Sequence, residues 1–481
     1  MEPMQQSVID AQIVDTAFGE ISTLLKGRAT RSESQREHHS RGESYLAAAM
    51  PDIVCFPQST QEVSEILKIA ARHGLPIVPF GAGTSIEGQV SALRGGLSID
   101  MREMKKVLRL SVPDSDVTVE AGITRKQLVE NLANTGLTFF IDPGADATIG
   151  GMTSTRASGT TAVKYGTMRD NVLGLTVVLA DGRIIKTGSR ARKSSAGYDL
   201  TALFVGAEGT LGVITEVTLR LHPLPESVSV AVCSFDTIQG AIETVIETVQ
   251  FGLGVARVEF LDEQQIIAIN RYSKTNLSAL PTLFFEFHGI SSRMTSDQAE
   301  MLQTIAAEHG GQEFQWKHSL EAQDELWSAR HAAYYAAHAL LPNSKVFVTD
   351  VCVPISRLAD CISETKNDLS HVSFPATIVG HVGDGNFHVL CVFREGDEDQ
   401  LEEVHRFADG VVRRALRMGG TCTGEHGIGF GKLKYLREEH GDSLETMRDL
   451  KLALDPTNRM NPGKIISGDF VEIGLKSASR P

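Results

Sequence analysis

The sequence predicts an α+β protein in two regions, and three observations point there. Up to about Leu221, short apolar runs alternate with glycine-rich loops; from Val228 onward strands and helices alternate without such loops; Pro223 and Pro225 punctuate the change. Alternation of the second kind suggests an antiparallel sheet covered by helices. At 481 residues, 42% hydrophobic and 22% charged, the chain has ordinary globular composition and ample material for a core. A net charge of -14 and 6% aromatic residues exclude phosphate-backbone binding or base stacking as the main task, and leave room for a local cationic pocket. The cysteines at 55, 233, 352, 361, 391 and 422 form no CxxC, so zinc-ribbon and common iron–sulfur spacings are absent. Scattered thiols fit a reducing compartment. Residues 1–30 carry no signal- or transit-peptide pattern, and no run approaches the roughly 18 apolar residues of a membrane span. A cytoplasmic protein is expected, with peripheral contact at the inner face of a membrane allowed.

In chain order, Ile9 to Leu25 shows helical spacing. A capping box, Ser59 with Glu62, opens an amphipathic helix closed by Gly74. Residues 76–80 read as a buried strand running into Gly81-Ala82-Gly83-Thr84-Ser85-Ile86-Glu87-Gly88-Gln89. This is not a dinucleotide fingerprint, because no amphipathic helix follows Gly88. Bare N–H groups and hydroxyls gripping a pyrophosphate is one reading of the loop, and a tight turn is the other. Val107–Ser111 and Val117–Ala121 form a predicted hairpin, and Thr124 with Gln127 a second capping box for a helix ending at Gly136. Thr148 to Thr160 is so rich in small and hydroxylated residues that neither helix nor strand is expected, only close backbone approach to something. Strands are expected at 175–179, 184–187 and 213–221, the last preceded by the loop Gly206 to Gly212. In the second region strands are predicted at 228–235, 256–261, 283–287 and 346–353, with helices at 239–252, 296–309, 321–341 and 402–418.

The centre of the second region is Gly380-His381-Val382-Gly383-Asp384-Gly385-Asn386-Phe387-His388, in which two histidines flank turn chemistry. On a continuous strand residues seven apart face opposite ways, but a reversal at Asp384-Gly385 could bring both imidazoles to one side. Gly424-Glu425-His426-Gly427 offers a carboxylate and a further histidine in another glycine-rich loop. Two His and one Glu suit a divalent metal with an open position. Ordinary turn histidines are the alternative, which weakens once both segments are taken together.

Pro79 to Gln89, Thr148 to Gly159, Gly206 to Ile214 and the two histidine loops together resemble the flavin-dependent D-2-hydroxyacid dehydrogenases, in the D-lactate dehydrogenase (cytochrome) and glycolate oxidase subunit branch of the vanillyl-alcohol oxidase superfamily. The resemblance spans about Pro51 to Gly463. It implies a PCMH-type FAD-binding domain of two α+β subdomains at 1–226 (core about 50–222), a substrate-binding domain at 227–418, and a segment at 419–481 that carries Glu425 and His426 and packs back on the FAD domain. Implied FAD contacts are Pro79, Phe80, Gly81, Ala82, Gly83, Thr84, Ser85 and Gln89, then Pro143, Gly144, Thr148, Gly150, Gly151, Ser154, Thr155, Ala157, Gly159, Tyr165 and Gly166, then Glu208, Gly209, Gly212, Ile214 and Asn461. The first loop has no histidine, so FAD is expected to be non-covalent.

The resemblance also implies that His381, His388 and Glu425 bind zinc or manganese, that His426 is the base, and that Arg330 grips the substrate carboxylate. The chemistry justifies the set. Oxidising a 2-hydroxy acid removes the hydroxyl proton and delivers the Cα hydride to flavin N5. A metal acidifies the hydroxyl, a histidine accepts the proton, and an arginine fork suits the carboxylate; a surface ion pair is the alternative for Arg330. Relatives acting on 2-hydroxyglutarate carry lysine and asparagine where this chain has Val348 and Leu390, which shifts the expectation to D-lactate unless Lys345 compensates. Quinone or cytochrome is the expected electron acceptor, and a dimer the natural candidate for assembly.

Overall fold

The computed structural model describes residues 9–191, 193–319, 326, 327, 330 and 332–467. The chain divides into two compact units, one from residues 1–158, 166–224 and 425–481, the other from residues 159–165 and 225–424. The sequence-based boundary at 418/419 therefore falls short of the structural one at 424/425, and the short stretch 159–165 lies with the second unit.

Among the described residues the first unit holds three sheets, the smallest being the two-stranded pair Leu137–Thr138 with His222–Pro223. In one, strands Ile53–Cys55, Leu97–Asp100 and Ile77–Phe80 pair in parallel, with Ala29–Thr30 antiparallel at the edge. Helix Ala11–Leu24 and helix Thr60–His73 bury Ala17, Ile21, Val63, Ile66 and Ala70 in the core shared with these strands. Gly74 closes the second helix in the left-handed region at φ 66°, as the C-cap signal predicts. Its N-terminus is only half a capping box. Ser59 accepts from the Glu62 amide, but the Glu62 carboxylate takes the Gln58 amide and Arg28 instead. The second sheet is antiparallel, in the order 107–111, 116–120, 213–220, 172–178, 184–186.

One local expectation is overturned here. Ile149–Thr155 is an α-helix, capped by Thr148, whose hydroxyl accepts from the Gly151 amide. The Thr153 and Thr155 hydroxyls fold back on the carbonyls four residues earlier. Gly150 makes the packing possible, because a Cβ there would meet the Ala121 methyl at 2.6 Å. Ile149 and Met152 are buried, so tertiary packing outweighs the weak helix propensity of Gly and Thr. The helix after Thr124 has its full capping box and ends at Asn131 rather than at Gly136.

The second unit is built on an eight-stranded sheet whose recorded pairs are all antiparallel, as predicted. The strands run 311–317, 227–235, 282–289, 255–261, 376–380, 386–394, 344–348, with 351–352 pairing the start of 386–394. Helices Ile238–Gln250 and Ser292–Glu308 pack with each other and with the sheet, and Leu358–Leu369 packs on Ile238–Gln250. The predicted strand 346–353 is broken between Val348 and Val351, where Thr349 and the buried Asp350 turn to other partners. Of the helical run expected at 321–341, a helix is described at Ala333–His338, and residues 320–325, 328, 329 and 331 lie outside the described residues.

Opposite residues on paired strands share a face. Arg257 stands opposite Glu286, Glu259 opposite Phe284, Leu261 opposite Val379, Val379 opposite His388, and Val348 opposite Leu390. One face of this sheet thus runs from an apolar cluster of Val230, Val232, Leu261, Phe284, Trp327, Val379 and Leu390 to a row of buried charged groups.

Helix Glu263–Ser273 is capped by Asp262, fully buried, whose Oδ1 accepts from the Gln265 amide at 2.8 Å. Burial pushes the Asp262 carboxyl up to about 7, against 3.8 for an unperturbed aspartate. The folded pKa exceeds the unfolded one, so the stabilisation is full below about pH 3.8 and lost as pH rises through 7. D262N, neutral throughout, should gain on the wild type by about 1.4 kcal/mol per pH unit across that window. Urea unfolding at pH 5 and pH 8 checks this, and an equal difference at both would refute it.

Candidate functional site

In the second unit the hairpin behaves as its turn chemistry suggests. Strand Ala376–Gly380 leads to His381, a single 3₁₀ turn at Val382–Asp384 reverses the chain, and strand Asn386–Arg394 returns. Gly385 sits at φ 79°, and a Cβ there would meet the Val353 carbonyl at 2.1 Å, so the position demands glycine. The reversal places the His381 and His388 rings on one side, 5.4 Å apart between centroids.

Each ring is held through Nδ1. His381 Nδ1 lies 2.6 Å from Glu259 Oε1, and His388 Nδ1 lies 3.0 Å from the Thr349 carbonyl. A carbonyl can only accept, so Nδ1 of His388 carries the hydrogen of that bond. This is the outer hydrogen bonding that metal-binding histidines use to fix ring and tautomer, and the pair fits a divalent ion on that ground. Asp350, buried, accepts from Asn386 Nδ2 and Thr423 Oγ1 at 2.8 and 2.7 Å and stands 3.8 Å from His388 Nδ1.

Arg330 is in an ion pair, but not the surface one offered as its alternative. Its Nε and Nη2 meet Glu259 Oε2 at 2.8 and 2.5 Å, and its side chain is 12% exposed. Burial alone would raise the Glu259 carboxyl; the charges of His381 and Arg330 and their hydrogen bonds outweigh it and hold the group below its ordinary range. Glu259 was missed from the sequence, although a carboxylate inside the apolar run Val255–Leu261 was a visible signal. A second buried acid, Glu286, bonds His288 Nε2 at 2.7 Å, and His288 Nδ1 meets the Tyr165 hydroxyl at 2.7 Å. Tyr165 thus sits in the second unit's charged row. Val348 and Leu390 face each other as apolar neighbours, and Lys345 is committed to Glu395 at 2.8 Å near the solvent.

In the first unit the expected flavin loops lie against one another. Thr148 packs on Gly81, Pro79 on Gly209, and the Glu208 amide donates to the Ser154 carbonyl at 2.8 Å. Phe80 is core, its ring tilted at 47° against that of His39 with centroids 4.3 Å apart, so it can serve a ligand only through its main chain. Ser85 Oγ is buried without a hydrogen-bond partner among the described residues, the kind of hydroxyl a polar ligand would complete. Gly159 belongs with Tyr165 to the short stretch in the second unit, while Gly166 stays in the first. A Cβ at Gly144 would meet nothing within 4 Å, one at Gly151 would meet Thr148 Oγ1 at 3.0 Å, and Ile214 is the second residue of strand Val213–Arg220, which follows Gly212.

Three residues of the expected flavin set have other work for their side chains. Glu208 accepts from the amides of Ile428 and Gly429, both at 2.7 Å, and burial pushes its carboxyl up to about 7. Gln89 Nε2 donates to the His426 carbonyl at 2.8 Å, and Asn461 Nδ2 donates to the carbonyls of Gln89 and Glu208 at 2.9 and 2.7 Å. Together they hold the loop that carries Glu425 and His426, where Ser158 Oγ donates to Glu425 Oε2 at 3.0 Å.

With both arrangements in view, comparison with known proteins decides the family. Residues 51–188 match the FAD binding domain family, and residues 224–465 match the family described as FAD linked oxidases, C-terminal domain. The chain belongs to the FAD-linked oxidases. FAD is accordingly the ligand of the first unit. Among curated relatives, the probable mitochondrial D-lactate dehydrogenase of Danio rerio is 52% identical over 90% of this chain and 87% of its own length. The mitochondrial D-lactate dehydrogenase (cytochrome) of Arabidopsis thaliana is 48% identical over 95% and 81%, and the glycolate oxidase subunit GlcD of Bacillus subtilis 34% over 88% and 90%. Solved structures show the PCMH-type fold. A 4-ethylphenol oxidase from Gulosibacter chungangensis aligns with TM-score 0.77 at 18% identity, covering 96% of this chain and 99% of that one. p-Cresol methylhydroxylase aligns with TM-score 0.76 at 15% identity, covering 96% and 98%. No helix among the described residues is long and apolar enough to cross a membrane.

Proposed function

We propose that this FAD-linked oxidase oxidises D-2-hydroxy acids, D-lactate to pyruvate foremost, and passes the electrons to a quinone or cytochrome from a cytoplasmic position. The observation that carries the reading is the pair His381 and His388, each ring fixed through Nδ1 in the way metal-binding histidines are, in a chain 52% identical to a probable D-lactate dehydrogenase. Non-covalent FAD supplies the two-electron acceptor, and a zinc or manganese ion supplies the Lewis acid that makes the 2-hydroxyl more acidic.

The residues do the rest. His381 and His388 hold the ion, with Glu425 as the third ligand that the sequence resemblance supplies. His426, on the same ground, accepts the hydroxyl proton. Arg330 has its Nε–Nη2 edge on Glu259, which leaves the Nη1 side of the fork to take the substrate carboxylate. The apolar pair Val348 and Leu390, with Lys345 bound elsewhere, offers a second carboxylate no partner at these three positions, which supports D-lactate over 2-hydroxyglutarate.

Rapid mixing of the FAD-loaded, metal-replete protein with a panel of D-2-hydroxy acids tests the reading through flavin absorbance. D-lactate should bleach the flavin fastest, glycolate more slowly and D-2-hydroxyglutarate least. No bleaching by any of them would sink it. H388A should lose stoichiometric metal while keeping FAD, and metal retained at one per chain would refute the ligand role.

A further inference from the structure

Glu259 sits inside the 255–261 strand, fully buried, with each oxygen committed to a different partner. Oε1 takes His381 Nδ1, from the hairpin, at 2.6 Å; Oε2 takes the Nε–Nη2 edge of Arg330, from the segment that covers the apolar cluster, at 2.8 and 2.5 Å. A buried ion pair is weak as a source of stability, since well-packed apolar residues often do as well. A single carboxylate shared between an imidazole and a guanidinium does something an apolar pair cannot: it fixes one relative to the other.

We propose that Glu259 is a positioning residue that sets the spacing between a metal ligand and the carboxylate-binding arginine. This rests on the D-2-hydroxy acid reading above. The hydroxyl and carboxylate of a 2-hydroxy acid stand on adjacent carbons, so the groups that receive them must keep one separation. On its first side Glu259 orients His381 and strengthens it as a donor, the role carboxylates play behind metal-bound histidines. On its second side it holds the arginine fork in one plane, so less freedom is lost when a carboxylate binds. Both effects pass through the same residue, and they should fail together.

The test uses the full-length, FAD-loaded protein with two readouts: the Kd of Mn²⁺ for chelator-stripped enzyme, and the split of KM from kcat for D-lactate at saturating Mn²⁺. E259Q should weaken Mn²⁺ by about 10–100-fold and raise KM by about 10-fold or more, the loss of a charge-assisted hydrogen bond. R330M should raise KM and leave Mn²⁺ affinity intact. E286Q, which changes the neighbouring buried acid bonded to His288, should leave Mn²⁺ affinity intact and so separates positioning from general damage to the sheet. If E259Q does not fold, E259D replaces it: still charged but a methylene shorter, it should lose at least one of the two affinities. Wild-type values for both in the variant that folds, or loss of only one in E259Q, would overturn the proposal. H388A retaining Mn²⁺ would sink the metal reading and this inference with it. H388A losing Mn²⁺ while E259Q binds it like wild type would sink the inference alone.

Discussion

H426A is expected to lower kcat for D-lactate by about 10²–10⁴-fold, the usual contribution of a positioned general base, with FAD content unchanged. The side chain is the part at risk because its loop is otherwise secured. The His426 carbonyl is held by Gln89, and the amides of Ile428 and Gly429 by Glu208, so removing an imidazole leaves those anchors in place. The loss should therefore fall on proton transfer rather than on binding. Single-turnover flavin reduction measures it directly, and loss of FAD in step with loss of turnover would show that His426 acts through the fold instead.

K451M is expected to produce the largest loss of stability, about 3–5 kcal/mol, the cost of stranding a buried charge. Lys451 is 4% exposed, and its ammonium donates to the Thr210 carbonyl, the Met460 carbonyl and Asp455 Oδ2 at 2.7, 2.7 and 2.6 Å. Burial lowers the lysine pKa and Asp455 offsets part of that, so the two charges depend on one another. Removing the cation leaves Asp455 as an unpaired carboxylate in the core, with two carbonyls unmet. K451M/D455L should recover only the part of the loss that comes from the stranded carboxylate, because the Thr210 and Met460 carbonyls and the Met460 amide, which donates to Asp455 Oδ2 at 2.7 Å, still lack partners. Guanidinium unfolding followed by flavin release measures both variants, and a K451M midpoint equal to wild type would refute the account.

What could be read from the sequence divides along a physical line. Signals contained within one turn or one periodic stretch were legible: the 60–73 helix with its glycine stop, the capping box at Thr124, the reversal at Asp384-Gly385. Signals that depend on a partner far along the chain were not. Ile149–Thr155 becomes a helix because Ala121 offers a surface that only glycine at 150 can approach. The capping box at Ser59 loses its second half because Arg28 competes for Glu62. Strand 346–353 breaks because Asp350 answers to Asn386 and Thr423. In the site the histidines announced themselves through glycine-rich surroundings, whereas Glu259, Gln89, Glu208 and Asn461 did not. The side chains of Gln89 and Glu208 are bonded to the loop that bears His426, and that of Asn461 to the carbonyls of those two residues, pairings between residues hundreds of positions apart that no local pattern announces.

The first unit is written in three pieces of chain, and that has a consequence for its synthesis. Asn461 closes onto the carbonyl of Gln89, a residue translated 372 positions earlier, and onto that of Glu208, 253 positions earlier. Lys464 then reaches the Ser91 carbonyl and Asn461 itself. While the second unit emerges and folds between them, the ribosome holds a flavin fold whose last staple does not yet exist. Any message cut short before that asparagine yields a chain in which the carbonyls of Gln89 and Glu208, the two residues that anchor the loop of His426, lack the amide that braces them. The bracing of the first unit's loops is thus the last thing the ribosome delivers.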